Sequence, residues 1–325
     1  MPDPVRWGVL GASSFIYRAA VGPALRDSDI AEVVATASRA GADHDSDAHR
    51  RYGTYAEVVD DPDVEAVYLP LPNDLHERWT IAAAAAGKHV LCEKPLAPDA
   101  AAARRMADAC QAAGVTLVEA YMTPFHPRSA RWDALSRGGW LGTPLHGTAR
   151  FTFPHGDPRD HRWRSEAGGG ALLDVGIYCL EPLLAAAGRR PGDRLPSVAA
   201  RATMTDGGVD STFTAWLAFP SGFTAAICCS FDAPESQVLE IIGSAGSLRV
   251  EPAFTPGVDD RTITASHRDG TTTVLRTDSG MPYRLMIDHV GRVIRGLEPL
   301  RRPVASAVAM ATLLDRLRAS ANRRR

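Results

Sequence analysis

The first apolar run of the chain and the turn after it read RWGVLGASSFI, at positions 6–16. The apolar residues predict a short buried strand over 6–10, and the residues after the turn predict a helix over 15–26. A glycine at position 11 lets backbone N–H groups approach a pyrophosphate at the N-terminus of that helix. The stretch therefore predicts the first βα unit of a dinucleotide-binding fold.

The glycine pattern of this turn is incomplete. In a G-x-G-x-x-G frame that starts at Gly11, Ser13 and Ile16 replace the later glycines. A tight strand-to-helix turn without a ligand has the same composition. The position of the turn, at the start of a βαβ unit, favours dinucleotide binding.

The first 120 residues alternate between apolar runs and helical patterns. Strands are predicted over 31–37, 66–69, 89–92 and 115–118, and helices over 75–86 and 99–114. Alternation at this spacing is typical of βαβ units, which build a parallel sheet. We predict an α/β fold with a doubly wound Rossmann domain over residues 1–120.

The rest of the chain has a different pattern. Three pairs of strand-like runs are predicted, over 213–219 with 223–231, 238–242 with 247–250, and 263–267 with 271–275. Consecutive hairpins predict an open, mostly antiparallel sheet, with one helix over 171–187. We predict an α+β domain over residues 121–325 that binds substrate and forms the dimer interface.

Charge and composition exclude several function classes. Lys and Arg total 36 against 38 Asp and Glu, a formal net charge of −2, which leaves no basic footprint for nucleic acid or an anionic membrane. The sequence has no apolar run of about 18 residues and no secretory leader. Five cysteines without Cys-x-x-Cys spacing indicate a reducing compartment, so we expect a cytoplasmic protein. The ten histidines lack metal-site spacing, so no metal is expected.

The end of the second strand distinguishes NADP from NAD. An Asp or Glu there would bind the ribose 2′-hydroxyl of NAD. This chain has Ser38 and Arg39 instead, and a guanidinium makes bidentate, charge-assisted hydrogen bonds to a 2′-phosphate. A solvated surface arginine is the alternative. The pair predicts NADP rather than NAD.

Polar residues follow two neighbouring strands at the carboxyl edge of the sheet, where open α/β sheets bind ligands. Glu93-Lys94-Pro95 follows the strand over 89–92, and Asn73-Asp74-Leu75-His76 follows the strand over 66–69. The residues alone leave open a surface turn at Lys94 and helix capping by Asn73 or Asp74.

Three motifs in this order resemble those of the Gfo/Idh/MocA family: LPNDLH at 71–76, EKP at 93–95 and GGGALLDVGIY at 168–178. The similarity extends from Val5 to about Phe254. Members of that family are NAD(P)-dependent oxidoreductases that act mostly on sugars and polyols. The resemblance implies a sugar or nucleotide-sugar substrate and a homodimer or homotetramer formed through the C-terminal sheet.

The resemblance also implies a role for each matched position. Lys94 matches the active-site lysine, Asp174 matches the acid on the active-site helix, and Tyr178 stands where inositol-dehydrogenase-like members have His. The tyrosine indicates the branch with aldose and dihydrodiol dehydrogenases and nucleotide-sugar 3-ketoreductases. The cofactor-binding residues implied are Gly11, Ala12, Ser13, Phe15, Ile16, Ser38, Arg39, Leu71, Asn73, His76, Glu93 and Lys94.

The spacing of the candidate catalytic residues agrees with these roles. Asp174 and Tyr178 are one helical turn apart, so they share a helix face. A phenol with a pKa near 10 is a poor base at pH 7 unless a neighbouring ammonium, such as that of Lys94, favours the phenolate. Arg162 matches a position that contacts substrate in ketoreductase-like members. Trp163 either stacks on a sugar ring or covers its loop.

Three functions remain open from the sequence. The main prediction is an NADP-dependent oxidoreductase that transfers a hydride to or from a free sugar or pyranoside. The second is a nucleotide-sugar 3-ketoreductase of deoxysugar biosynthesis. The third is a non-catalytic NADP-binding redox sensor, against which the presence of Lys94, Asp174 and Tyr178 argues.

Overall fold

The structure is a computed structural model that describes residues 3–39 and 48–322. By its internal contacts the chain forms two compact units. The first comprises Met1–Met122 and Tyr283–Val308, and the second comprises Thr123–Pro282 and Ala309–Arg325. The sequence predicted one domain border, near residue 120. In the structure the chain also returns to the first unit, at Tyr283–Val308.

Strands and helices alternate through the first unit, and strands dominate the second. The described strands are β1 (Val5–Leu10), β2 (Ala31–Ala37), β3 (Arg50–Tyr52), β4 (Ala66–Leu69), β5 (His89–Glu93), β6 (Leu117–Ala120), β7 (Pro144–Thr152), β8 (Ser197–Met204), β9 (Asp210–Ala218), β10 (Thr224–Ser230), β11 (Ser236–Gly243), β12 (Gly246–Val250), β13 (Thr262–His267) and β14 (Thr272–Arg276). The described α-helices are α1 (Gly22–Arg26), α2 (Tyr55–Asp60), α3 (Asn73–Ala85), α4 (Ala100–Ala112), α5 (Pro127–Arg137), α6 (Ala171–Ala186), α7 (Pro282–Ile294) and α8 (Val304–Asn322).

The sheet of the first unit has the order β3-β2-β1-β4-β5-β6, and all its described pairings are parallel. Its central strands β1 and β4 are almost entirely buried and apolar, as strands covered on both faces must be. The predicted parallel α/β sheet is confirmed. The strand order reverses between β1 and β4, and open sheets of this kind bind ligands outside the carboxyl ends of the strands there.

The first helix covers the predicted span over 15–26, but it is less regular than an α-helix. A π-helical turn at Tyr17–Val21 precedes α1. Pro23 has no N–H to donate within the helix, and the N–H of Gly22 bonds to the carbonyl of Tyr17, five residues back. A Cβ at Gly22 would lie 2.8 Å from that carbonyl oxygen, so the wide turn needs the glycine.

The sheet of the second unit has the order β14-β13-β12-β11-β7-β10-β9-β8. It is mostly antiparallel, as predicted, except that β7 runs parallel to β10. The sequence prediction missed β7 and β8. A parallel pair requires a long crossover connection, and the chain between these two strands contains α6, β8 and β9.

Helix α6 packs against one face of this sheet, on β7, β9 and β10. The helix comes close because β7 has a glycine under it: a Cβ at Gly147 would lie 2.4 Å from Leu183 of α6. Leu172, Leu173 and Ile177 of α6 are almost fully buried. Because α6 packs against the sheet, its side chains have defined positions relative to β7, β9 and β10. Over the part of the chain described, no helix is long and apolar enough to span a bilayer.

Candidate active site

The predicted cofactor loop is tied to the ends of two strands. Gly11 has φ +113°, a conformation that favours glycine, and a Cβ there would lie 3.1 Å from the carbonyl oxygen of Pro70. The N–H groups of Gly11 and Ala12 donate to the carbonyl of Ala37 at 2.8 and 3.0 Å. The loop therefore lies at the carboxyl edge of the sheet, beside the ends of β2 and β4.

The residues around this loop differ in exposure. Ser13 is exposed, the side chain of Phe15 is 79% exposed, and Ile16 is half-buried. Ser38, at the end of β2, is buried and its Oγ donates to Oγ of Ser13 at 2.8 Å. Arg39 is exposed, so its guanidinium remains accessible to an anion beside this loop. Three features of this edge fit an NADP molecule. Gly11 lets the backbone approach a ligand closely, the strand order reverses here, and the guanidinium of Arg39 is accessible.

Glu93 faces into the first unit and holds the loop that carries Lys94. Its Oε1 accepts the Tyr68 hydroxyl at 2.7 Å and its Oε2 accepts the Lys94 backbone N–H at 3.2 Å. Burial raises the pKa of Glu93, which is 9% exposed. Lys94 itself is half-buried at the strand end, and its bond to Pro95 is cis. The structure thus gives Glu93 two partners of its own unit.

His76 connects the loop after β4 to the loop after β5. Its Nε2 lies 2.9 Å from the carbonyl oxygen of Leu71, and its Nδ1 lies 3.1 Å from that of Pro95. The ring is fully buried, and burial lowers its pKa. A neutral imidazole carries one N–H, so His76 donates to one of these carbonyls, and its ring packs between the two loops. Asn73 is the half-buried first residue of α3, and Leu71 is buried.

Lysine is rare in this chain, which has two lysines among its 36 basic residues. Lys88 is buried, and its Nζ donates to the carbonyls of Asp61 and Val64 at 2.8 and 2.7 Å. Its ammonium has a structural role. Lys94 is therefore the one lysine of the sequence at the ligand-binding edge of the sheet.

The second unit places Asp174 and Tyr178 on successive turns of α6. Tyr178 is 6% exposed, and its ring packs edge-on against Phe151 of β7 with centroids 5.3 Å apart. The ring of Phe254 lies 6.3 Å away on another side. This packing fixes the orientation of the phenol relative to Asp174.

Arg162 is joined to two carboxylates. Its Nε donates to Oδ2 of Asp174 at 2.9 Å, and its Nη1 lies 3.3 Å from Oδ1 of Asp160. The negative charge of Asp174 raises the pKa of the Arg162 guanidinium. The Asp174 side chain is 14% exposed, so this mostly buried carboxylate has a permanent cation beside it.

The glycine run before α6 brings Arg162 and Asp174 together. The N–H of Gly170 donates to the carbonyl of Arg162 at 2.9 Å. A Cβ at Gly169 would lie 2.4 Å from that same carbonyl oxygen. Because no other residue permits this approach, the run ties the Arg162 loop to the helix that carries Asp174.

Trp163 packs within the protein. Its ring stacks on His155 with centroids 5.9 Å apart and meets Phe231 edge-on at 5.2 Å. The ring is half-buried. These contacts agree with the alternative in which Trp163 covers its loop.

Asp210 was not predicted as a site residue, yet it caps the helix that carries Asp174 and Tyr178. Its Oδ2 accepts the N–H of Leu172, in the first turn of α6, at 2.7 Å. The helix lacks a local side-chain cap because residue 170 is glycine. Burial raises the pKa of Asp210 to about 6. The partners are 38 positions apart, so no local pattern signals this cap.

No group of three or more His, Cys, Asp or Glu side chains suited to a metal ion occurs among residues 3–39 and 48–322. The five cysteines are free thiols.

The predicted residues therefore fall into two sets, each organised within one unit. In the first unit the cofactor loop, the Leu71–His76 segment and the Lys94 loop meet at the carboxyl edge of the parallel sheet. In the second unit Arg162, Asp174 and Tyr178 gather around α6.

Both units match known protein families. Residues 5–121 match the model described as "Oxidoreductase family, NAD-binding Rossmann fold". Residues 130–249 match the model described as "GFO/IDH/MocA C-terminal domain".

Similar proteins cover nearly the whole chain. A D-xylose 1-dehydrogenase (NADP(+)) from Haloferax volcanii is 34% identical over 324 residues, 97% of each chain. A dTDP-3,4-didehydro-2,6-dideoxy-alpha-D-glucose 3-reductase from Saccharopolyspora spinosa is 33% identical over 91% of this chain and 89% of its own. A solved 3-ketoreductase from Actinomadura kijaniata, in complex with NADP and TDP-benzene, has a TM-score of 0.86 at 28% identity, covering 98% of both chains.

Proposed function

The chain belongs to the GFO/IDH/MocA family of oxidoreductases, as its motifs predicted, and we propose that it transfers a hydride between NADP and a carbinol or carbonyl carbon of a sugar. The observation that carries the proposal is the presence of Lys94, Asp174 and Tyr178, each held by specific contacts, in a chain 34% identical to a D-xylose 1-dehydrogenase (NADP(+)).

The cofactor proposed is NADP, bound at the carboxyl edge of the parallel sheet. The exposed Arg39 follows the buried Ser38, and the sequence has no carboxylate at positions 37–39 for a ribose 2′-hydroxyl. Arg39 would bind the 2′-phosphate by charge-assisted hydrogen bonds. NADP supplies the hydride acceptor or donor at C4 of its nicotinamide.

The protein residues manage the proton and orient the sugar. When a carbinol is oxidised, its hydroxyl proton must pass to a base, and Lys94 and Tyr178 are the two candidates. An ammonium beside the phenol favours the phenolate. Asp174 accepts hydrogen bonds from sugar hydroxyls while Arg162 keeps it ionised and fixed.

The substrate proposed is a free sugar or pyranoside. The guanidinium of Arg162 already contacts Asp160 and Asp174, so its charge is matched by two carboxylates. A nucleotide diphosphate requires cations that are not so matched, whereas sugar hydroxyls suit a carboxylate acceptor. The second candidate, reduction of a nucleotide sugar at C3, is supported by the relatives named 3-reductases.

A substrate panel tests this function. Purified protein with NADP or NADPH is offered free aldoses and nucleotide sugars, and turnover is followed by nicotinamide absorbance. We expect turnover on free sugars. Turnover on nucleotide sugars alone would establish the second candidate function. NADP binding without turnover of any sugar in the panel would favour the non-catalytic redox sensor.

We also propose that the second unit forms a homodimer through the sheet face opposite α6. Gly147 faces α6, so the next residue of β7, Thr148, faces away from it. Thr148 belongs to a row that crosses all eight strands and consists of Ala199, Trp216, Ala226, Thr148, Glu240, Arg249, Thr264 and Val274. Trp216 is 51% and Val274 56% exposed. A wide sheet face with such residues is a suitable interface between copies.

Light scattering tests the dimer. We expect a mass of twice the 34.8 kDa chain, or a higher even multiple. Trp216→Arg should shift the mass toward the monomer, whereas Leu297→Arg, at an exposed residue of the first unit, should leave it unchanged. A wild-type monomer at all concentrations would overturn this proposal.

A further inference from the structure

The loop that carries Lys94 is held through its backbone at several points. The N–H of Lys94 bonds to Glu93, and the carbonyls of Pro95 and Leu96 face Nδ1 of His76. A further contact comes from the neighbouring strand β6: Oε1 of Glu119 accepts the N–H of Leu96 at 2.7 Å. Glu119 lies outside the three motifs at 71–76, 93–95 and 168–178.

Glu119 has a second partner on its other oxygen. Arg302 donates from Nη1 to Oε2 of Glu119, and the two side chains are 13% and 2% exposed. The Arg302 guanidinium also lies over the ring of Tyr121, 5.7 Å from its centroid. A buried carboxylate with this partner is fixed in direction, because turning it would break a buried ion pair.

Arg302 comes from the segment that returns to the first unit, and a histidine holds that segment in place. Nε2 of His289 accepts the N–H of Arg301 at 3.1 Å, while Nδ1 lies 2.6 Å from Oε1 of Glu298. This pattern requires a proton on Nδ1 only, and burial lowers the pKa of His289, which favours that neutral form. The neighbour of Arg302 is thus anchored to α7.

We propose that Glu119 and Arg302 are positioning residues for Lys94: the ion pair fixes the Glu119 carboxylate, the carboxylate fixes Leu96, and Leu96 fixes the loop that presents the Lys94 ammonium. Neither residue is proposed to touch substrate or NADP. This inference rests on the proposed role of Lys94 as the active-site lysine.

The decisive experiment is a cycle of variants made in full-length protein. Glu119→Gln keeps the side-chain shape but removes the charge that pairs with Arg302. We expect kcat to fall about tenfold or more, because small misplacement of a catalytic group is costly, with the dissociation constant of NADP changed less than twofold. In a Lys94→Met background the same substitution should cost no further kcat, because the group that it positions is gone.

A matched control comes from the same returning segment. Arg295 donates to both oxygens of Glu65 at 2.9 Å, and this pair does not touch the Lys94 loop. Glu65→Gln should leave kcat within twofold of wild type. Arg302→Lys, which retains a cation, should recover part of the activity that Arg302→Met loses.

The outcomes separate this inference from the proposed function. A kcat loss from Glu119→Gln that multiplies with that of Lys94→Met, or an equal loss in Glu65→Gln, would overturn the positioning role. Wild-type kcat in Lys94→Met would instead overturn the proposed function. If Glu119→Gln does not fold, as judged by circular dichroism, the same cycle is run with Arg302→Lys.

Discussion

Arg162 and Asp174 lie twelve positions apart and are joined by a 2.9 Å hydrogen bond from Nε to Oδ2. The bond crosses from an irregular loop to the first turn of α6, over the glycines at 169 and 170. A carboxylate so paired is kept ionised and in one orientation. In the proposed function, the Asp174 carboxylate accepts hydrogen bonds from the sugar hydroxyls.

Removal of the cation should therefore weaken substrate binding. We expect Arg162→Met to raise the KM for sugar about tenfold, since a charge-assisted contact is worth roughly 1.5–3 kcal/mol, while NADP affinity stays unchanged. Steady-state kinetics with varied sugar measure it. Arg164→Met, at an exposed neighbour, is the control, and equal KM values for the two variants would contradict the prediction.

Replacement of the proposed proton carriers should give non-additive losses. Lys94→Met should lower kcat at least about a hundredfold with NADP affinity nearly intact, because a single acid or base typically contributes 10²–10⁴-fold. The kcat of Tyr178→Phe should fall less than that of Lys94→Met if Lys94 is the main proton carrier. It should fall about as far if the phenol is the main proton carrier. The double variant should retain far more activity than the product of the two single effects.

Pre-steady-state and steady-state rates of the three variants measure this coupling. Tyr52→Phe, which removes a hydroxyl that bonds to Asp61, is the matched control for loss of a phenolic oxygen. Independent, multiplying losses would show that Lys94 and Tyr178 do not share a proton.

Cofactor choice should depend on Arg39. We expect Arg39→Ala to weaken NADP binding about tenfold or more and to spare NAD, because the lost bonds reach only the 2′-phosphate. Titration of both cofactors measures the difference, with Arg26→Ala, at the exposed end of α1, as the control. Equal weakening of NADP and NAD would make Arg39 a structural residue.

Asp210 should make stability fall as pH rises. Burial raises its pKa from 3.8 to about 6, so the folded protein binds this proton more tightly than the unfolded chain does. Between pH 4 and pH 6 the folded state therefore carries more protons, and its free energy of unfolding decreases with pH. A shift of about two units corresponds to about 3 kcal/mol.

Asp210→Asn isolates this effect, because the amide oxygen still accepts the N–H of Leu172 but does not ionise. We expect the unfolding free energy of wild type relative to the variant to drop by up to about 3 kcal/mol between pH 4 and pH 7. Urea titrations at several pH values measure it. A difference that is constant with pH would show that Asp210 titrates normally.

Local patterns were sufficient for much of the first unit. The predicted strands over 31–37 and 66–69 match β2 and β4, and the helix predicted over 99–114 matches α4, whose N-cap is Asp99. These elements follow from periodicity and capping, which depend on neighbours in sequence. The predicted helix over 15–26 is helical along its whole length, and only its π-helical segment at Tyr17–Val21, beside Gly22 and Pro23, was not predicted.

Contacts between residues far apart in the sequence could not be predicted from local patterns. The strand β7 pairs with β10 and β11, which follow it by roughly eighty residues or more, and its glycine and polar residues give a weak strand signal. The same limit applies to the candidate site. Motifs located Lys94, Asp174 and Tyr178, whereas the contact between Leu172 and Asp210 spans 38 positions and that between Glu119 and Arg302 spans 183.

The return of the chain to the first unit sets an order on biosynthesis. A growing chain leaves the ribosome from its N-terminus, so all six strands of the parallel sheet emerge before Arg302 has been translated. Glu119 is synthesised 183 residues before Arg302, the cation with which it pairs. On the proposed role of that pair, a nascent chain would fold its parallel sheet early but present Lys94 correctly only after Arg302 has been made. The parallel sheet would thus lack a correctly presented Lys94 until residues Thr123–Pro282 of the second unit have also been made.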